Sequence, residues 1–394
     1  MILSETTPAR AWIAQFDESD KNTARLILDS LIYVSNEELD TGLNQLIQKF
    51  IADHQNEYIA IFAVKDVIKD SNYWEDAREK LDLLLNDGIG SEANISYLCR
   101  SISKTNKYIL NHPDVNEMRK KKCRHIICVN DIIGSGEQTD EFCNWLYNNP
   151  TIKSWISLKY IDFNICSYAG TITGIKYLEK NKFIKEILVN QYVDYGRSFW
   201  TEKERDEIEN VCRKYCPFTS RKKLPLGYKN IFSFIYINYK YPNTSPAILW
   251  AAPTKKWTPV SHIRPEFEIN LDNLEPTYLG IKKFIDYFNF SKSLIFGRLN
   301  WESKKMIIIL NLLSWKHYSN KSISEMLNIP ITNVNKYTDR LLSMELIDKN
   351  YKVTTGGKKL LRLAKKRKLI KDELDLKDDF YYPDKLREPI DSPS

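Results

Sequence analysis

The feature that most constrains this sequence is a series of short apolar segments alternating with helical patterns between residues 58 and 191. Tyr58–Val64 is a continuous apolar run rich in β-branched residues, as buried strands are, and further strands are predicted at His125–Val129, Lys159–Cys166 and Ile184–Gln191. The stretches between them carry apolar residues at helical spacing. Strands separated by helices of this length indicate βαβ crossovers. The sequence therefore predicts an α/β fold with a parallel sheet flanked by helices.

The rest of the chain divides by composition and periodicity. Residues 1–55 have helical apolar spacing and predict an N-terminal helical element. The sheet domain is expected over 56–290, and its last part, 217–290, is an aromatic and Pro-rich insert. A helical pattern with a β-wing follows over 291–371, and 372–394 is an acidic tail.

Composition limits the class of protein. The chain has 394 residues, of which 43% are hydrophobic and 12% aromatic, enough apolar surface for packed cores. It contains no apolar run of membrane-spanning length, and its start, MILSETTPAR, lacks the pattern of a secretory signal. The seven cysteines are irregularly spaced, which favours a reducing compartment over a disulfide framework. We therefore expect a cytoplasmic protein that has no membrane partner.

The net charge of +7 is unevenly distributed. Residues 292–371 contain 18 Lys and Arg against 5 Asp and Glu, whereas residues 372–394 contain 3 against 8. A concentrated cation beside an acidic tail points to a polyanionic partner for the cationic segment. The alternative is a solvated helix face.

The most informative motif is the segment RHIICVNDIIGSGEQ at 124–138. A buried strand leads through Asp131 to Gly134, Ser135 and Gly136, and a helix is predicted from Thr139. A glycine turn at a helix N-terminus presents converging backbone N–H groups and a helix dipole, which together favour a bound anion. An Asp at the strand end is placed for ribose hydroxyls or Mg²⁺. The alternative is a plain tight turn between strand and helix.

This segment resembles the loop of type I phosphoribosyltransferases that binds phosphoribosyl pyrophosphate (PRPP), and the order of elements over 57–195 is similar as well. The resemblance implies PRPP or a nucleotide as ligand, with Mg²⁺ as a possible cofactor. It implies Asn130 and Asp131 as the pair at the ribose, with Asp131 also the metal ligand. The phosphate ligands it implies are Gly134, Ser135, Gly136, Glu137 and Gln138.

The sequence departs from the family pattern at three positions of this loop. Asn130 stands where the family has its first acid, Gln138 replaces a usual Thr, and Glu137 brings a carboxylate to the rim of an anion site. The family's second loop, which contacts pyrophosphate, corresponds to a segment that includes Gly90 and Ser91. These departures leave open whether the domain transfers a phosphoribosyl group or only binds a ligand.

A second motif occupies 300–370. Helical patterns at Trp301–Ser314, Ser322–Leu327 (with Ser322 as predicted N-cap) and Thr332–Met344 precede a short hairpin and a final basic helix. This order resembles the winged helix-turn-helix family, in which the second helix of the motif reads the DNA major groove. Val334, Tyr337, Leu341 and Leu342 are expected to face inward.

The predicted nucleic-acid contacts lie on the recognition helix and on the wing. Asn reads adenine, while Arg and Lys contact guanine or phosphate. The residues concerned are Asn333, Asn335, Lys336, Arg340, Lys349 and Lys352. The partner is expected to be DNA or structured RNA, although many winged helices instead bind protein.

The combination of a GSGxQ loop, the segments RSFW and PNTSPAILW, and a C-terminal winged helix resembles phosphoribosyltransferase-like proteins of bacterial conflict systems. Some of these are encoded beside retron reverse transcriptases. The resemblance implies an effector or accessory subunit of an antiphage system, whose winged helix binds the nucleic acid of the retron or a partner protein such as the reverse transcriptase. Two alternatives stay open, a ligand-sensing transcriptional regulator with a degenerate transferase domain and a non-catalytic protein scaffold.

Overall fold

The structure is a computed structural model of the chain. It describes residues 3–67, 74, 91–193, 200–217, 224–237, 240–254, 257–260, 278–316 and 318–365. The acidic tail at 372–394 lies wholly outside these residues.

The chain forms two compact units. The first runs from the N-terminus to Thr277, and the second begins at Tyr278, except that Pro330–Thr332 group with the first. The domain boundaries expected from the sequence, at 55/56, 290/291 and 371/372, remain predictions.

The first unit alternates strands with helices. In chain order its elements are α1 (Thr7–Ile13), α2 (Lys21–Asp29), β1 (Ile32–Val34), α3 (Asn36–Asp53), β2 (Ile59–Ala63), α4 (Ser91–Thr105), β3 (Ile109–Asn111), α5 (Val115–Lys121), β4 (His125–Ile133), α6 (Glu137–Tyr147), α7 (Pro150–Ser157), β5 (Asp162–Gly170), α8 (Ile172–Leu178), β6 (Ile184–Tyr192), α9 (Glu202–Lys214), β7 (Ile235–Ile237) and α10 (Ala247–Trp250). Short 3₁₀ turns occur at Leu3–Glu5 and Tyr228–Asn230.

Five strands form one parallel sheet in the order β3-β2-β4-β5-β6. This confirms the predicted parallel sheet flanked by helices. Neighbouring residues of β4 alternate between two cores, with Ile127 and Val129 on one face and Ile126 and Cys128 on the other. Because both faces are covered there, β2 and the first half of β4 read as continuous apolar runs in the sequence.

The sequence predicted a helical N-terminal element, but the structure has a strand within it. Strand β1 interrupts it between α2 and α3 and pairs in parallel with β7, with Ile32 opposite Ile235. The N-terminal helices and the aromatic insert thus share one core, in which Trp12 contacts Trp257 edge to face at 5.9 Å.

The second unit is helical. Its elements are α11 (Tyr278–Tyr287), a 3₁₀ turn (Phe290–Lys292), α12 (Leu294–Gly297), α13 (Trp301–Trp315), α14 (Asn320–Leu327), α15 (Ile331–Ser343) and α16 (Thr355–Ala364). Residues 346–354 form the wing, closed by an antiparallel bridge between Ile347 and Val353. Val334, Tyr337 and Leu341 of α15 pack into the core with Ile308 and Leu312 of α13.

Three local predictions need correction. Strand β4 extends to Ile133, so Asp131 lies within the strand and not in the loop, because the ladder to β5 continues from Ile132 to Ala169. Helix α14 begins at Asn320, because the Ser319 hydroxyl accepts a hydrogen bond from the Ser322 amide, which makes Ser319 the N-cap. Leu342 is 37% exposed and does not face inward.

No helix of the described ranges is both long enough and apolar enough to cross a membrane.

Candidate functional site

The topology of the first unit creates one crevice at the carboxyl ends of its strands. From β2 the chain passes to β3 on one side of β2 and then to β4 on the other side. In open α/β sheets, ligands bind where the strand order reverses in this way. The end of β4 carries Asp131 and leads to Gly134–Gly136, which we call the glycine turn.

Helix α6 follows the glycine turn directly. Gly136 is its N-cap and has a φ of 86°, in the left-handed region that favours glycine. A Cβ atom at Gly136 would also lie only 2.7 Å from the carbonyl oxygen of Gly174. The tight strand-to-helix connection therefore requires glycine at this position.

The start of α8 supports the glycine turn from behind. The Thr171 hydroxyl donates to the Gly134 carbonyl at 2.6 Å, and the Thr171 amide donates to the Ile133 carbonyl at 2.9 Å. A Cβ at Gly174 would lie 2.2 Å from the Gly134 oxygen, so α8 approaches the turn as closely as the backbone allows. These contacts direct the Gly134 carbonyl inward.

The amide N–H groups of the turn remain available for a ligand. Within the described part of the chain, no group accepts a hydrogen bond from the N–H of Gly134, Ser135, Gly136, Gln138 or Thr139. The Glu137 amide has one long contact, to the Ser135 hydroxyl at 3.4 Å. Unpaired N–H groups at a helix start carry partial positive charge and attract anions.

These amides border a cavity of about 510 Å³, a volume suited to a small ligand. Its wall on the α6 side carries acidic, hydroxyl and amide side chains, and the opposite wall comes from the aromatic insert. The lining residues are Asp66, Asp131, Ile132, Gly134, Ser135, Gly136, Glu137, Gln138, Thr139, Glu141, Tyr228, Ile237, Lys240, Tyr241, Pro242, Asn243 and Thr244.

Asn130 is engaged within the protein. It is buried, and its side-chain N–H groups donate to the Ile132 carbonyl at 2.9 Å and to the Thr139 hydroxyl at 3.0 Å. Its side-chain oxygen accepts from the Asp131 amide at 2.9 Å. Asn130 thus ties the end of β4 to the first turn of α6, and it is not among the residues lining the cavity.

Three carboxyl groups, those of Asp131, Asp66 and Glu92, lie near the cavity rim. The Asp131 carboxylate accepts from the Ile132 amide at 2.7 Å, and the Asp66 carboxylate accepts from the Gln138 side chain at 2.7 Å. Glu92 accepts from the Asp66 amide at 3.1 Å. Burial raises the pKa of Glu92, and the nearby negative charges of Asp66 and Asp131 raise it further.

The Glu137 carboxylate is bound by Tyr228 and Lys229, which together we call the clasp. The Tyr228 hydroxyl donates to Glu137 at 2.9 Å, and the Lys229 ammonium forms an ion pair with it. The hydrogen bond from Lys229, followed by that from Tyr228, lowers the pKa of Glu137. This clasp neutralises the carboxylate that would otherwise repel an anion in the turn.

The donor set at the rim fits Mg²⁺ carried by a phosphate ligand. Mg²⁺ is commonly held by one or two carboxylates together with substrate phosphates, and Asp131 and Asp66 line the same cavity. No group of three or more His, Cys, Asp or Glu side chains among the described residues is arranged as a metal site. A metal cage made by the protein alone is thus not the arrangement found in this part of the chain.

The second predicted loop is described only at its end. Gly90 lies outside the described residues, and Ser91 is the first residue of α4. Its neighbour Glu92 accepts a hydrogen bond from Gln138 at 3.4 Å, so the start of α4 adjoins the cavity rim.

In the second unit, the residues predicted to contact nucleic acid differ in their solvent exposure. Asn333, Lys336, Lys349 and Lys352 are exposed. Asn335 accepts a hydrogen bond from Asn320 at 2.8 Å and is half-buried, as is Arg340. We call Asn333, Asn335, Lys336 and Arg340 the recognition face.

Sequence reasoning missed the cavity residues that come from distant segments. Asp66 follows β2 by three residues, so its position at the end of a neighbouring parallel strand was a usable signal. Tyr228, Lys229 and Lys240 carry no local signal, because the fold of the insert brings them to the turn.

Two family models match the chain. The model described as PRTase-CE matches residues 9–262, and the model described as wHTH-PRTase associated matches residues 307–388. Comparisons with curated proteins and with solved structures give no match. The two matches confirm the resemblance to phosphoribosyltransferases (PRTases) and the C-terminal winged-helix assignment, and they support a nucleotide-binding domain followed by a nucleic-acid-binding one.

Proposed function

The chain belongs to the PRTase-CE family, and we propose that it binds PRPP or a nucleotide at the glycine turn and nucleic acid through its winged helix. We further propose that it acts as an effector or accessory subunit of a bacterial antiphage system of the retron type. The family membership and the sequence resemblance to conflict-system proteins support this reading.

The observation that carries the ligand proposal is the set of unpaired amides at the start of α6. They face a cavity large enough for a sugar phosphate, and Glu137, one of the carboxylates lining that cavity, is paired with Lys229. A phosphate in the turn would accept hydrogen bonds from Gly134, Ser135 and Gly136.

Asp131 would hold the ribose hydroxyls, and with Asp66 it would hold the Mg²⁺ that accompanies a diphosphate. The ion would supply charge neutralisation between these carboxylates and the phosphates. Lys240, exposed at the same cavity, would add a positive charge on the side of the insert.

Calorimetric titration of the full chain with PRPP and Mg²⁺ tests the ligand site. We expect saturable binding by the wild type and at least tenfold weaker binding by Asp131→Asn, which keeps the shape of the side chain but removes its charge. Asp53→Asn, at the exposed end of α3, is the matched control and should bind as the wild type does. Binding that Asp131→Asn leaves unchanged would reject the site.

The defence role is tested in cells that carry the gene with its genomic neighbours. We expect Asp131→Asn to abolish protection against phage while the protein level stays unchanged. Co-purification with a retron reverse transcriptase would support the partner proposal. Full protection by the variant would exclude a defence role for the ligand site.

A ligand-sensing regulator is a second candidate, favoured by Asn130. Its amide is used to hold β4 against α6, so the site presents Asp131 without the second acid of the family pair. The regulator predicts a sequence-specific duplex footprint that changes when PRPP is added. A footprint that is the same with and without PRPP would count against it.

A further inference from the structure

Two aromatic side chains of the second unit are both exposed and in contact with each other. Tyr287, the last residue of α11, is 64% exposed, and Trp315, the last residue of α13, is 58% exposed. Their ring centroids lie 5.8 Å apart at an angle of 40°. We call them the aromatic pair.

Exposed aromatic residues occurring singly are ordinary on protein surfaces. Tyr97 and Tyr160 of the first unit are also more than half exposed, but no ring contact joins them in the described part of the chain. A contiguous exposed patch, by contrast, indicates a binding surface. The aromatic pair differs from Tyr97 and Tyr160 because its two exposed rings are in contact and form one patch.

The aromatic pair is supported from beneath, which fixes the position of both rings. Phe288 is half-buried and contacts Tyr287 at 5.2 Å and Trp315 at 5.8 Å, both edge to face. Phe290, below Phe288, is buried and stacks on Phe296 at 4.6 Å. A supported platform loses little conformational entropy when a flat ligand stacks on it.

Positive charge lies beside this platform. The Lys365 ammonium lies 6.0 Å from the Phe288 ring and 5.5 Å from the Phe290 ring. Lys316 follows Trp315 in the chain and is exposed, with its ammonium 5.8 Å from the Tyr318 ring. Neither lysine forms an ion pair with a carboxylate in the described residues. Asp286, the residue before Tyr287, is an exposed acid. The segment 292–371 as a whole nevertheless carries an excess of 13 positive charges.

We propose that the aromatic pair is a stacking platform for unpaired bases, with Lys316 and Lys365 contacting the phosphates, so that the second unit binds single-stranded nucleic acid. Sites of this class combine aromatic rings, on which any base stacks, with lysines along the backbone. The positive charge around the platform favours a polyanion over a protein partner. The proposal depends on nucleic acid being the partner, but neither on duplex reading by the recognition face nor on the glycine turn.

Fluorescence anisotropy with a labelled single strand of about 20 nucleotides tests the proposal. The variants are made in the full chain: Tyr287→Ala with Trp315→Ala, the matched control Tyr97→Ala with Tyr160→Ala, and the conservative Trp315→Phe. We expect the first double variant to bind the single strand about tenfold to one-hundredfold more weakly. The control pair should bind as the wild type does, and Trp315→Phe should retain most of the affinity.

Binding to a duplex of the same sequence distinguishes this proposal from the broader proposal that the winged helix binds nucleic acid. Unchanged duplex binding by Tyr287→Ala with Trp315→Ala would show that the fold is intact and that the loss is specific to unpaired bases. Replacing Lys316 and Lys365 by Gln should reduce the slope of log affinity against log salt by about 0.7 per lysine.

If Tyr287→Ala with Trp315→Ala binds the single strand with wild-type affinity, the stacking proposal is overturned. The proposal that the winged helix binds a duplex would not be affected by that result. Loss of self-association in that variant, at unchanged affinity for nucleic acid, would assign the aromatic pair to a protein interface instead. A chain that binds neither strand form would reject the nucleic-acid partner altogether.

Discussion

The glycine turn and the recognition face would bind anions by opposite means. At the turn the side chains are engaged within the protein, as Asn130 holds Thr139 and Thr171 holds Gly134, so the backbone amides are left for the ligand. On α15 the backbone is used within the helix, and Asn333 and Lys336 project from it.

This difference determines how each region should respond to mutation. A ligand site made of amides depends on backbone position, so residues that never touch the ligand control it. A site made of exposed side chains loses affinity one contact at a time. We expect large effects on stability around the turn and small, additive effects on the winged helix.

Gly174→Ala should have the largest effect. Its new Cβ would lie 2.2 Å from the Gly134 oxygen and 3.0 Å from the Ile133 side chain, so α8 or the turn must move. We expect a loss of about 3 kcal/mol or more in the free energy of unfolding, measured with urea, together with loss of PRPP binding.

Gly356→Ala is the control for that substitution. The nearest atom to its Cβ would be the Thr354 hydroxyl at 3.7 Å, an ordinary contact, and Ala favours the helix α16. It should be neutral or stabilising by up to about 1 kcal/mol. A harmless Gly174→Ala would mean that the turn tolerates displacement, and the comparison would fail.

His112, which follows the edge strand β3, should make the stability of the sheet sensitive to acid. Burial lowers the pKa of His112 to about 4, and its Nε2 accepts a hydrogen bond from the Ala63 amide at 2.9 Å, which requires a neutral ring. The unfolded chain takes up a proton near pH 6.5 and the folded chain does not. Stability should therefore fall as the pH drops below about 6.5, by about 2 kcal/mol at about pH 5.

Urea unfolding between about pH 7 and 5 measures this loss. His112→Gln keeps an acceptor for the Ala63 amide but cannot titrate, so its stability should change less over that range. An equally steep decline in the variant would assign the acid sensitivity to other groups.

The sequence predicted the elements whose signal is local. Strands β2 and β4 were found because both faces of the sheet are buried there and their residues form apolar runs. Strands β5 and β6 carry polar residues and were found from their alternation with helical patterns. Strands β1, β3 and β7 have three residues each, too few for a periodic pattern. Two serines three residues apart, Ser319 and Ser322, both suit an N-cap, and the hydrogen bond between them decided which one is used.

The candidate site was predictable to the same extent. Asp131 and the glycine turn lie on one continuous segment, so the sequence alone predicts that they are close in space. The clasp on Glu137 comes from residues about ninety positions away, and pairing of β1 with β7 organises the insert that carries them. Such contacts depend on tertiary structure that periodicity does not encode.

Asn130→Asp tests whether the missing first acid of the family pair or the hydrogen bonding of Asn130 limits ligand binding. It restores the family's first acid, but it replaces an N–H donor with an oxygen facing the Ile132 carbonyl in a buried place. We expect a loss of about 1.5 kcal/mol in urea unfolding and no gain in PRPP affinity. Asn116→Asp, at an exposed position where the side chain already accepts from Arg119, should be neutral. Tighter PRPP binding by Asn130→Asp would show that the missing acid, and not the bonding of the turn, limits the site.

Lys349→Gln and Lys352→Gln on the wing should have the smallest effects. Both lysines are exposed, so neither change should alter the unfolding free energy measurably. Each should weaken duplex binding by about threefold, and it should lower the slope of log affinity against log salt by about 0.9 if the lysine contacts a phosphate. PRPP binding should be the same as in the wild type. An unchanged salt slope in both variants would remove the wing from the nucleic-acid interface and leave the recognition face to act alone, since an exposed lysine that neutralises a phosphate cannot be replaced without changing counterion release.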